Sequence, residues 1–270
     1  MLSRRDHRAF PRLRRRLRGP GEDHLRALCA GAAAAVLCLS VLPASAGQAD
    51  TRLLPLPPGR TLALDVTVGD VDIEGWDRPE AQIVIERRGP GDEALQKLPI
   101  EVKETPGAVT VSVVQADGAT DPALRSRVRL RLPAGARLEH IRIFEGTLAI
   151  EDFSGDVRAD VRRGDITATR LGGTARFETG IGDVVVKAPR LEAGGLLHLR
   201  TFNGDVRLSF DGAPPDARIM ALALNGTIES DIPLTMKDAW GPRWGETTLG
   251  AGDPVVSIDI VTGRVRIETR

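Results

Sequence analysis

From Arg60 onward, apolar and polar positions alternate in short runs. Leu62, Leu64, Val66 and Val68 share one face, and Val71 and Ile73 continue it past a Gly69-Asp70 turn. The pattern returns at Ile83/Ile85, Ile100/Val102, Val109/Val111/Val113 and Val128/Leu130/Leu132. A period of two places every second side chain on one face, which predicts half-buried β-strands. Turn signals separate the runs: Asp77-Arg78-Pro79, Gly89-Pro90-Gly91, Pro106-Gly107, Asp121-Pro122 and Pro133-Ala134-Gly135. One short helix is predicted over 92–97, and no long amphipathic helix is legible.

A longer period is laid over the shorter one. Glycine returns every nine residues at Gly146, Gly155, Gly164, Gly173 and Gly182, then at Gly204 and Gly226, each 22 residues on, and at Gly263. The second and fourth residues after these glycines are mostly apolar, as in Leu148/Ile150, Ile166/Ala168, Val184/Val186 and Val206/Leu208. Nine residues at about 3.3 Å each make one short strand and a turn. Two geometries fit: a β-solenoid with coils of 18 to 22 residues, or a meander of hairpins. Recurrence of the same face at every second glycine favours the solenoid. Its coils are expected to begin at Gly146, Gly164, Gly182, Gly204 and Gly226. One sheet then holds 147–151, 165–169, 183–187, 205–209 and 227–230, and the facing sheet holds 156–160, 174–178, 196–200, 218–224 and 255–260. Tight corners need positive φ, which glycine adopts without steric cost.

The predicted fold class is therefore all-β. An N-terminal antiparallel section, 47–135, runs into a β-solenoid, 136–270, with an inserted loop at 233–252. Residues 1–46 read as a signal peptide. An arginine-rich stretch precedes an apolar run from Leu28 to Leu42, and Ala44-Ser45-Ala46 offers a small-x-small cleavage site. The run is short for a bilayer span, which takes about 20 residues, so no span is expected after cleavage. The basic stretch is long, which leaves a downstream start codon open. Both cysteines, Cys29 and Cys38, fall inside the signal, so the exported chain would have neither a disulfide nor thiolate chemistry. The whole sequence balances 37 basic against 37 acidic residues; setting aside the nine basic and three acidic residues of 1–46 leaves 28 against 34, a net of about −6. A mildly acidic, mixed-sign surface does not favour nucleic acid or anionic lipid.

The succession Leu132-Pro133-Ala134-Gly135, Gly146-Thr147-Leu148, Gly155-Asp156-Val157, Gly164-Asp165-Ile166, Gly182-Asp183-Val184 and Thr262-Gly263-Arg264-Val265-Arg266-Ile267 resembles the bacterial β-strand-repeat family known as putative adhesins. Gly69-Asp70-Val71-Asp72-Ile73-Glu74-Gly75-Trp76-Asp77 resembles the start of that family's domain, so the resemblance covers nearly all of 60–270. It implies an envelope-associated β-solenoid and supplies no catalytic motif.

Four groups of residues are candidates for chemistry. Asp165, Asp183 and Asp205 follow coil-starting glycines and Asp156 a half-coil glycine, so stacking would line up carboxylates about 4.8 Å apart. Such a row suits Ca²⁺, but a single Gly-Asp lacks the repeat of calcium-binding rolls and equally suits turn capping. Arg158, Arg162, Arg163, Arg170, Arg176, Arg200 and Arg207 interleave with Asp156, Asp160, Asp165, Glu178 and Asp205. They suit either an acidic polysaccharide or a solvated face of cross-strand pairs. His140 and His198 are too few and too separated to predict a zinc site; His198 is expected to point away from the core, and no Gly-x-Ser-x-Gly elbow accompanies it as a base. In the 233–252 loop, Trp240, Arg243 and Trp244 suit a sugar or partner contact, or a cap on the open end of the stack. The sequence thus predicts no catalytic residue, metal ligand or cofactor. It predicts an exported protein, periplasmic or at the cell surface, with a non-enzymatic interaction role toward an envelope protein or surface glycan. An envelope-stress sensor or regulator partner is the alternative, and a polysaccharide-active enzyme on a β-helix a further one.

Overall fold

The structure, a computed structural model, describes residues 46–270 apart from 119, 214 and 238–240. The signal-peptide reading of 1–46 therefore lies outside the described residues but for Ala46. The strands are, in order, β1 (Ala46–Pro55), β2 (Thr61–Trp76), β3 (Glu80–Gly89), β4 (Glu101–Glu104), β5 (Ala108–Val113), β6 (Arg125–Pro133), β7 (Arg137–Glu145), β8 (Leu148–Glu151), β9 (Val157–Arg163), β10 (Ile166–Thr169), β11 (Ala175–Ile181), β12 (Val184–Lys187), β13 (Leu196–Asn203), β14 (Val206–Phe210), β15 (Ala217–Ser230), β16 (Thr235–Lys237), β17 (Arg243–Leu249) and β18 (Val255–Thr269). A single helical turn, α1 (Asp92–Leu95), stands where the short helix is predicted. The fold is all-β, and the strands join in one large mixed sheet.

Two parallel ladders organise that sheet. In the first, the second half of β2 pairs with β8, then β8 with β10, β10 with β12 and β12 with β14, placing Val71, Leu148, Ile166, Val184 and Val206 in one row. In the second, the first half of β2 pairs with β7, followed by β9, β11 and β13, with Val157, Ala175 and Leu197 in one row. Inward residues of both ladders merge into one continuous apolar core. Each fully buried Val, Leu or Ile contributes roughly 1.5–3 kcal/mol relative to exposure.

The antiparallel pairing expected for 47–135 holds for β1 on β3, β3 on β6 and β4 on β5. It does not hold for β2, which runs parallel to β5, β6, β7 and β8. Gly69-Asp70-Val71 places a corner inside β2 like the corners of the later repeats, so β2 enters both ladders.

The order of the last strands also differs from expectation. Gly226 does not follow Gly204 in space. β18 pairs with β13 and β14 on one side and with β15 on the other, so the strand nearest the C-terminus sits inside the stack and β15 outside it. The 233–252 segment is not irregular either: β17 lies antiparallel on β15, and β16 antiparallel on β17, forming a hairpin along the outer edge.

The glycine column explains the corners. A Cβ built on Gly146 would sit 1.7 Å from the Gly69 carbonyl oxygen, on Gly164 1.7 Å from that of Gly146, on Gly182 2.1 Å from that of Gly164, and on Gly204 1.9 Å from that of Gly182. Gly263 stands on Gly204 and Gly226 on Gly263 in the same way, each at 1.9–2.0 Å. Gly164 and Gly182 also have φ of 135° and 147°, which a side chain would strain. At the half-coil corners, Gly155 meets the Ala136 oxygen at 1.7 Å and Gly173 the Ser154 oxygen at 2.6 Å. Gly182→Ala is expected to cost about 3 kcal/mol or more. Gly91→Ala, whose Cβ meets nothing within 4 Å, is expected to leave the denaturant midpoint near wild type; equal midpoints for the two variants would contradict this account.

Candidate functional site

The aspartates that follow the glycines are engaged with backbone. Asp165 Oδ1 accepts from Asp183 N–H at 2.8 Å, Asp183 Oδ1 from Asp205 N–H at 2.8 Å, and Asp205 Oδ1 from Arg264 N–H at 2.8 Å. Asp70 Oδ1 accepts both the N–H and the hydroxyl of Thr147, and Asp156 Oδ1 accepts Thr174 N–H at 3.3 Å. Each carboxylate thus ties its turn to the next coil. The carboxylates line up as expected, but through turn capping, and no group of three or more metal-ligating side chains is found among the described residues. Asp183→Ala is expected to lower stability by about 1 kcal/mol, with Asn restoring most of it. Melting curves in Ca²⁺ and in chelator are expected to superimpose; a calcium-dependent rise would reinstate a cation row.

The tryptophan hairpin is positioned by β17. Trp244 lies opposite Leu222 of β15 and is half-buried, with Lys237 Nζ 5.8 Å above its ring. Lys237 also binds Glu246 at 2.9 Å and holds that carboxylate below its ordinary range. Arg243 is exposed beside it, while Trp240 lies outside the described residues. Trp244→Ala is expected to lower stability by about 2 kcal/mol and Arg243→Ala to stay within about 0.5 kcal/mol of wild type. Thermal melts separate the two, and an unchanged Trp244→Ala would make the indole a contact rather than a cap.

The interleaved arginines fall on different surfaces. On the outer face of the first ladder, Arg127 binds Asp72 at 2.9 Å, Arg129 binds Glu86 at 2.6 Å and Arg131 binds Glu74 at 2.9 Å. Arg170 leaves the corner after β10 to hold Glu151 and Asp152, each at 2.6 Å, and it keeps the Asp152 carboxyl below the usual range. Arg207 is also exposed on this ladder.

The outer face of the second ladder is arranged otherwise. Arg158, Arg176 and His198 occupy one lateral row across β9, β11 and β13, and Asp160, Glu178 and Arg200 the next. Among the described residues, neither Arg158 nor Arg176 has a carboxylate within ion-pair distance, whereas Arg200 reaches Glu178 at 3.9 Å. Arg162 lies 5.3 Å over the Phe144 ring and Arg200 4.7 Å over that of Phe202. A bulge in β7 sets two residues, Glu139 and His140, against Arg158. Burial, then Arg142 and Arg158, hold His140 below the usual histidine range, and its Nε2 receives the Arg142 Nε–H at 2.7 Å. His198 faces outward as expected and meets Asp259 at 2.9 Å. The Ser257 hydroxyl donates to the same Asp259 oxygen at 3.5 Å, so it is directed to the carboxylate and not to an imidazole base.

Two grooves lie on this face and share Asp160. One, of about 470 Å³, is floored by Arg142, Phe144, Asp160 and Arg162 and walled by Val114, Gln115 and Thr120. The other, of about 170 Å³, runs between Arg158, Arg176, Glu178 and Arg200. Buried Gln115 braces the wall: its Nε2 donates to the Asp121 and Leu124 carbonyls at 2.8 and 3.0 Å, and its Oε1 accepts Asp121 N–H at 2.6 Å. Sequence reading places these arginines in one class; it misses their split between surfaces and the bulge at His140.

No family model matches the chain, and no curated protein matches it. Among solved structures, the chain is similar to a putative cell adhesion protein from Clostridium sporogenes, at 13% identity and TM-score 0.37, over 83% of this chain and 100% of that one. It is similar to a putative adhesin from Bacteroides fragilis at 12% identity and TM-score 0.36, over 83% and 97% of the two chains. A putative lipid binding protein from Parabacteroides distasonis is similar at 10% identity and TM-score 0.28, over 82% and 96%. Likenesses this distant say nothing of what the chain binds. No helix among the described residues is long and apolar enough to cross a membrane.

Proposed function

We propose that this is an exported cell-envelope protein with a non-enzymatic interaction role, built as a β-solenoid that presents flat, repeating faces to an envelope protein or surface glycan. The observation that carries the reading is the pair of parallel ladders that run from β2 to β18, in constant register but for the bulge in β7. A surface of this kind repeats the same side-chain position at each coil, about every 4.8 Å. It matches extended partners better than it encloses a small substrate. The arginine-rich leader pattern supports export, and the hairpin of β16 and β17 supports a closed end.

The test is fractionation of cells carrying the tagged full chain, together with photo-crosslinking from position 243 and from outward positions of β9 and β11. The expected result is an envelope-fraction protein that captures one dominant envelope component. Cytosolic recovery would overturn the reading, as would shortening of a polysaccharide by the purified protein, which would make it an enzyme.

A further inference from the structure

Like charges set directly opposite each other across strands are destabilising, and stacked sheets commonly avoid them or interpose a carboxylate. The first ladder does so for Arg127, Arg129 and Arg131. On the second ladder, Arg158 and Arg176 are register neighbours, both exposed and both without an ion pair among the described residues. Around them Arg142, Arg162 and Arg200 face outward among Asp65, Asp160, Glu178 and Asp259, with Arg142 3.8 Å from Asp65 and Arg200 3.9 Å from Glu178. The two unpaired guanidiniums stand on a chain whose part beyond 46 is net acidic by about six charges. The smaller groove, lined by Arg158 and Arg176, shares Asp160 with the larger one, whose wall Gln115 braces; the two grooves make up the trough.

We propose that this trough binds a linear acidic polysaccharide, with Arg158 and Arg176 receiving carboxylates of successive or alternate sugars. The proposal rests on the interaction role above and names its ligand class. Several features select a glycan over other polyanions. Arginine presents a planar fork that fits a carboxylate bidentately. Asp160 and Glu178 lie within the trough, where they are placed to accept hydrogen bonds from sugar hydroxyls between the charged groups. Phe144 and Phe202 lie in the lateral row beside Asp160 and Glu178, each holding an arginine over its ring and so fixing Arg162 and Arg200 at the trough. The lateral spacing of the row, about 4.8 Å, is comparable with the rise of a pyranose in a linear 1,4-linked chain. The β7 bulge sets Glu139 and His140 against Arg158, a device common beside binding sites.

The test uses purified full-length protein and measures binding by calorimetry to polygalacturonate, to neutral dextran, to phosphatidylglycerol vesicles and to single-stranded DNA. Polygalacturonate is expected to bind in a salt-sensitive manner and dextran at least tenfold more weakly. The double variant Arg158→Gln, Arg176→Gln is expected to lose at least tenfold in affinity for polygalacturonate, with a melting temperature equal to or above wild type because a repulsion is removed. Arg207→Gln, on the other ladder, is expected to bind as wild type. Should the double variant melt early, Arg176→Gln alone carries the same expectation of loss. Equal binding of dextran, undiminished binding by the variant, or tighter binding of vesicles or DNA through the same arginines would each overturn the proposal. If polygalacturonate fails while crosslinking still captures an envelope protein, the ligand class falls and the interaction role stands; if both fail, both fall.

Discussion

The close approach of backbone at the glycine corners is the constraint on which the structure depends. Each corner glycine lies against the carbonyl oxygen of the corner before it, closer than any side chain allows. That approach is what lets both ladders turn at one level and keep one register. The polar groups it brings together are satisfied from three directions. Gly164 N–H donates to the Ile181 carbonyl at 2.8 Å and Gly182 N–H to the Asn203 carbonyl at 3.0 Å. The aspartate after the glycine accepts the next coil's N–H. From inside the core, the fully buried Thr179 and Thr201 hydroxyls donate to the Gly164 and Gly182 carbonyls at 2.8 and 2.9 Å. A buried orphan at such a corner would cost about 1–3 kcal/mol, repeated at every coil. A Cβ anywhere in the column pushes on the corners both above and below it.

Parallel ladders end in open edges, and open edges invite pairing with other chains. Both ends of the stack are built alike. At one end β2 lies inside, covered by β5 and β6, which in turn carry antiparallel β4 and β3. At the other, β18 lies inside, covered by β15, which carries antiparallel β17 and then β16. β18, the strand nearest the C-terminal end of the described chain, is therefore sandwiched, and fraying there would have to open ladder bonds on both sides, whereas β1 at the other end lies along the outer side of β3. Antiparallel strands with Lys103 and Glu101, or Lys237 and Glu246, facing outward then finish the edges with charge.

Much of this was legible in the sequence, for a physical reason. Alternation and the glycine period are local properties, and they located β8 to β14 and the corners between them. Lateral order is not local. Gly226 and Gly263 have the same flanking pattern, Asn225-Gly226-Thr227-Ile228 and Thr262-Gly263-Arg264-Val265, so either serves as the neighbour of Gly204 by pattern alone. Three-dimensional closure decided for Gly263, since β15 needed its free edge for β17. The β16–β17 hairpin escaped notice because Met236, Lys237, Trp244 and Gly245 do not alternate. The corner inside β2 carried the same Gly-Asp-Val signal as the later ones but stood among runs that read as antiparallel. At the candidate site, the residue types were visible and their register was not. The extra residue at Glu139–His140 has no signature in sequence, yet it sets which side chains face Arg158.

The faces follow a different logic from the corners. Exposed cross-strand ion pairs contribute about 0–1 kcal/mol each and are screened by salt. The core and the corners, not the surface charges, therefore hold the ladders in register. Outward positions are free to vary without loss of the fold, so their arrangement reports contact more than stability. On the first ladder that freedom is used to pair arginine with carboxylate wherever three cations align on β6. On the second, two adjacent arginines, Arg158 and Arg176, are left facing water beside a groove. A fold that tolerates either arrangement does not explain the second. The acidic glycan proposed above would supply that explanation, by carrying the opposite charge at matching intervals.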